Sequence, residues 1–178
     1  MLLDASLAFV PVGTPLSLVA GAGVDIASDV LDLAGTGSGN PPNGIIGRAT
    51  LFGTDIGIGD DRPMLDVVIG TALATSTAAT LNLALQGAPD NGSYAPGTWQ
   101  TFIETGPLTV AQCPAGTRIA RFDLAAAFPN TLPLPRFLRL YAQVPAATDF
   151  TAGTIAFAVV TMARDDYSPG MFSNYVAV

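Results

Sequence analysis

Apolar and polar residues alternate with a period of two along much of this chain, the spacing of strands with one face buried and the other wet. "DASLAF" sets Ala5, Leu7 and Phe9 against Asp4, Ser6 and Ala8 and predicts a first strand. Pro11 and Pro15 close it, because proline cannot donate to a ladder. "VDIASDVLDL" predicts a second, with Val24 and Ile26 on one face and, beyond a bulge, Val30 and Asp32. The run Val67, Val68, Ile69 predicts a buried strand. In "TAATLNLALQG", Leu81, Leu83 and Leu85 face one way and Thr80, Asn82, Ala84 and Gln86 the other. "TWQTFIET" resumes the sheet. "TRIARFDLAA" alternates Ile119 with Arg121 and then slips a step to Phe122 and Leu124. "RFLRLYAQV" sets Phe137, Arg139, Tyr141 and Gln143 against Leu138, Leu140 and Ala142, and "GTIAFAVVTMA" predicts a last apolar strand.

Turn residues separate these strands, in "APDNGSYAPG", "FPNTLPLP" and "PAATDFTAG", and Asn91-Gly92 is a strong hairpin signal. The segment "AGTGSGNPPNG", residues 34–44, predicts a long loop. It is glycine-rich, yet it has neither the lysine nor the following helix pattern of a phosphate loop. Short strands at short intervals predict an all-β fold: one jelly-roll-like antiparallel β-sandwich over residues 1–178, with the loop at 34–44 and a C-terminal arm at 168–178.

Composition narrows the chemistry. The chain of 178 residues has seven arginines but no lysine and no histidine, and Glu104 is its one glutamate. That scarcity argues against helical surfaces. Without histidine there is no imidazole base or metal ligand, and without lysine no Schiff base. The single Cys113 allows no internal disulfide and suits a small buried core residue. A net charge of −7 disfavours direct contact with nucleic acid. The longest uncharged stretch, residues 67–89, holds too many polar residues for a bilayer span, and no cationic segment precedes an apolar core at the amino terminus. The expectation is a soluble protein with no membrane contact.

Three clusters pose chemical alternatives. Asp55, Asp60 and Asp61 offer hard oxygens for calcium, against a solvated turn paired with Arg62. Trp99 with Tyr94 and Asp90 offers a sugar-binding groove, against a tryptophan in the core. Two aspartates offer glycoside hydrolysis, against solvation in turns. In each the second alternative is the expectation, so no catalytic residue, cofactor or metal is assigned and the chain is not expected to be an enzyme.

Five stretches, in order, resemble a known pattern: "SDVLDLAG", "TDIGIGDDRPML", "LNLALQGAPDNGSY", "PRFLRLYAQV" and "FTAGTIAFAVV". They are similar to the capsid cement, or decoration, proteins of short-tailed bacteriophages. That family carries D-I-G-x-G before a buried strand, a strand ending L-Q before a turn, and R-[FY]-L-R-L with T-A-G before the last strand. The resemblance covers about residues 29–162 and rests on the order and spacing of the motifs; the loop at 34–44 and the ending "RDDYSPGMFSNYVAV" depart from it. It implies a jelly roll without catalysis, made in the host cytoplasm and carried on the outer capsid surface of the virion. Its implied partners are the major capsid protein and itself, as homodimer or homotrimer. The tail "MFSNYVAV" is read first as a last core strand or covering segment and second as an arm to a neighbouring subunit, for which Met171, Phe172, Tyr175 and Val176 are the candidate interface residues. Arg136 and Arg139 are read first as partners of this chain's own aspartates and second as contacts to a partner. A carbohydrate- or receptor-binding jelly roll is the competing function.

Overall fold

Strands form where the period-two pattern gathers aliphatic side chains on one face, and the computed structural model describes them over residues 8–33, 63–93, 95–123 and 135–162. Ten strands occur there: β1 (Ala8–Val10), β2 (Leu16–Ser17), β3 (Ile26–Ala27), β4 (Leu31–Asp32), β5 (Pro63–Ile69), β6 (Asn82–Ala88), β7 (Gln100–Glu104), β8 (Arg118–Asp123), β9 (Phe137–Gln143) and β10 (Thr154–Met162). They make two antiparallel sheets packed as a β-sandwich. The first sheet runs β1-β10-β5-β8, with β2 also on β10; the second runs β3-β9-β6-β7, with β4 also on β9. Apart from β1 to β2, β3 to β4 and the β6–β7 hairpin, each step along the chain crosses from one sheet to the other.

The core lies between the sheets. Leu65, Val67 and Ile69 of β5 and Ile155, Ala158 and Val160 of β10 meet Leu83 and Leu85 of β6 and Leu138, Leu140 and Ala142 of β9. Phe9, Phe122 and Phe150 are buried among them. Cys113 is buried there as expected, and burial pushes its thiol pKa up. A one-turn 3-10 helix at Val110–Gln112 precedes it. No helix among the described residues is long and apolar enough to cross a membrane.

Three expectations change in detail. "VDIASDVLDL" forms two short strands instead of one, because Ser28 interrupts the pairing with its own side chain. Its Oγ accepts the Leu140 N–H at 2.9 Å, while its N–H donates to the Leu140 carbonyl at 2.9 Å. Val24 and Val30 are exposed, and Leu31 is the residue turned into the core. β5 is buried at Leu65, Asp66, Val67 and Ile69, but Val68 is only half-buried, and Asp66 on the face opposite the core is a buried carboxylate held by Arg118 and Arg121 and by the Thr161 hydroxyl. In β8 the slip expected at the step to Phe122 does not occur, since Ala120 to Asp123 pair in register with β5; the irregularity is a bulge three residues earlier. Val67 pairs with Ala120 and Val68 with Arg118, leaving Ile119 as the extra residue. The loop at 34–44 and the arm at 168–178 lie outside the described residues.

Candidate functional site

The inward turn of Leu138, Leu140 and Ala142 sends Arg139, Tyr141 and Gln143 of β9 to the outer face of the second sheet. Register then fixes their neighbours. Gln86 lies opposite Arg139, Ala84 opposite Tyr141 and Asn82 opposite Gln143, while Thr101 and Glu104 of β7 flank Gln86 and Ala84. The result is a hydrogen-bonded surface across three strands. Asn82 Nδ2 donates to Glu104 Oε2 at 3.0 Å and to Gln143 Oε1 at 2.8 Å. Gln86 Nε2 donates to Thr101 Oγ1 at 3.2 Å, and its Oε1 accepts Arg139 Nε–H at 2.8 Å.

At the centre the Arg139 guanidinium carbon lies over two rings, 4.2 Å from the Trp99 centroid and 4.3 Å from that of Tyr141. A cation on an aromatic face is attracted by the ring quadrupole, and here two rings act on one cation. Partial burial lowers the Arg139 pKa. It raises that of the Tyr141 phenol, and the bond from Tyr141 OH to Asp25 Oδ2, 3.0 Å, acts in the same direction. Asp25 Oδ1 also accepts the Val144 N–H at 3.0 Å.

At one edge of this face Arg136 binds β4 and the β6–β7 turn. Its Nε and Nη2 donate to the two oxygens of Asp32 at 2.8 Å each, its Nη1 donates to Asp90, and it covers the Phe137 ring at 4.9 Å. The Asp32 hydrogen bond is the largest influence holding this guanidinium above its usual basicity. Asp90 also shapes the hairpin turn: its Oδ1 accepts the Gly92 N–H at 2.8 Å, and Gly92 takes a φ of +88°.

Arg136 therefore pairs with this chain's own aspartates, as expected, and Arg139 does not. Two aromatic rings hold Arg139, and no carboxylate among the described residues reaches it. Trp99 is corrected as well. It precedes β7 instead of lying within it, and it is half-buried against Arg139 on the outer face rather than sunk in the core. Tyr94, Asp55, Asp60 and Asp61, and the tail residues Met171, Phe172, Tyr175 and Val176, lie outside the described residues. Among the described residues no cluster of three His, Cys, Asp or Glu is placed to hold a metal ion.

The Trp99–Arg139–Tyr141 stack was only half visible in the sequence. Arg139 and Tyr141 stand two apart on one strand and so share a face; the Trp99 contact comes from across the sheet. A small cleft of about 210 Å3 lies elsewhere, lined by Phe9, Pro11, Thr14, Leu16, Ala27 and Asp29 among others. That is below the usual range of about 300–1,000 Å3 for a small-molecule site. The sheet face has the composition of a protein-binding surface instead, since tryptophan, tyrosine and arginine dominate binding hot spots. No family model matches the chain. No curated protein matches it at a significant level either.

Proposed function

We propose that this protein is a structural virion protein that decorates an icosahedral capsid, binding the outside of assembled major capsid protein across the seams between capsomers and cementing them. The observation that carries the proposal is where the cement-like stretches fall. "LNLALQGAPDNGSY" is β6 and its turn, "PRFLRLYAQV" is β9 and "FTAGTIAFAVV" runs into β10, while "SDVLDLAG" contains β4 and "TDIGIGDDRPML" runs into β5. The described part of each falls on or beside a strand, which supports the reading; residues 54–62, with the D-I-G-x-G motif, lie outside the described residues. The strand orders β1-β10-β5-β8 and β3-β9-β6-β7 further support reading the sandwich as a jelly roll, eight strands wound as two Greek keys.

Cementing needs no chemistry. A protein with affinity for joined capsomers and little for separated ones stabilises the joined state by mass action. Contacts of about 800 Å2 per partner are enough when a homodimer or homotrimer links several of them. A rigid sandwich loses little conformational freedom on docking. The competing sugar-binding module would need an open tryptophan face, and Arg139 already covers one face of Trp99.

Co-sedimentation with undecorated, expanded shells tests the proposal, with unexpanded procapsids as control. Saturable binding to expanded shells alone is expected. Folded protein that binds neither would overturn it.

A further inference from the structure

Four arginines lie among the described residues, and three of them meet carboxylates of their own chain. Arg118 and Arg121 share Asp66, and Arg136 joins Asp32 to Asp90. Arg139 is the exception. Its plane is fixed by the Trp99 and Tyr141 rings and its rotation by the Nε–H bond to Gln86. Its two Nη groups bond to no described residue and are not sealed from solvent. The chain thus holds a charged, two-pronged donor edge rigidly in place on the outer face of a sheet.

Such an edge matches the two oxygens of a carboxylate, which arginine engages through parallel N–H donors. Ordering a long side chain normally opposes such a contact, and here the stack has already ordered it. Partial burial of this charge also lowers the Arg139 pKa. A nearby anion would restore what partial burial removes.

We propose that Arg139 is the anchor of the capsid interface, its Nη edge receiving an aspartate or glutamate side chain of a shell subunit. This rests on the cement function proposed above. A polyanion such as nucleic acid is disfavoured by the net charge of −7 and by Asp25 and Glu104 on the same face. A second copy docked face to face is disfavoured because the described carboxylates on this face are engaged at home: Asp25 by Tyr141 and Val144, Glu104 by Asn82, and Asp32 and Asp90 by Arg136.

Three measurements on the full chain test the anchor. Arg139→Gln is expected to bind undecorated expanded shells at least tenfold more weakly than wild type, and Arg139→Lys to fall between them, because the charge stays while the fork and stack are lost. Phenylglyoxal modification read by mass spectrometry needs no variant: Arg139 should react in the free protein and be protected on decorated shells. Sedimentation velocity of Arg139→Gln should match wild type. Wild-type affinity in a folded Arg139→Gln, or equal modification of Arg139 free and bound, would overturn the anchor alone. Loss of self-association in Arg139→Gln would assign the carboxylate to a second copy and overturn it too. Failure of the wild type to bind any shell would instead remove the cement function, and the anchor with it.

Discussion

Gly87 shows how far a single position is constrained in this sandwich. A Cβ there would lie 2.3 Å from the tip of the Phe102 ring and 2.8 Å from Pro135 Cβ, so only glycine lets the β7 aromatic close over β6. Gly87→Ala is expected to destabilise the fold by about 1–3 kcal/mol, measured by urea unfolding. Cys113 is buried with a raised pKa, so its thiol should stay silent to Ellman's reagent in the native protein and react once the chain is unfolded. Tyr141 carries a pH signature. The native state holds its phenolic proton more tightly than the unfolded chain, so the Tyr141–Asp25 bond contributes stability below the ordinary tyrosine pKa of about 10, and that contribution is lost as pH rises through the higher native value. Tyr141→Phe should therefore cost about 1 kcal/mol at pH 7, with the gap to wild type narrowing above pH ~10.

Among the elements, the long strands were readable and the short ones were not. β6 and β9 are seven residues each, enough for Leu83, Leu85, Leu138 and Leu140 to declare a buried face by alternation alone. β2, β3 and β4 have two residues apiece, too few to express any period. They exist because β9 and β10 offer them edges, a tertiary cause that local sequence does not carry. The slip in "TRIARFDLAA" was misplaced: Ala120 to Asp123 stay in register, and the bulge falls earlier, at Ile119, where only the pairing with β5 reveals it. Half of the arginine chemistry was readable too: turn aspartates predict the ion pairs of Arg136, whereas the Trp99 stack on Arg139 depends on a register across β7, β6 and β9 that no local pattern reveals. Arg136 ties β4 to the β6–β7 turn with a side chain only 13% exposed. Arg136→Ala should destabilise by about 2 kcal/mol, because two partly buried carboxylates lose their hydrogen-bonded cation.

For the whole molecule, the chain's repeated crossing between sheets is what makes one core out of strands distant in sequence. Most contacts between described residues are therefore non-local, which favours slow folding in the range of about milliseconds to seconds. Stiffness is the property a cement protein uses: it carries force between capsomers without rearranging. The all-β sandwich followed from alternation and turn chemistry, whereas the proposed function came from the order of motifs and not from any reactive group. The direct test is mechanical stability of the shell. Undecorated expanded capsids would be heated with increasing amounts of the protein, and the temperature of shell disruption followed by light scattering. The disruption temperature should rise and level off at the same stoichiometry at which binding saturates; shells that bind the protein fully and yet come apart at an unchanged temperature would contradict the cementing role.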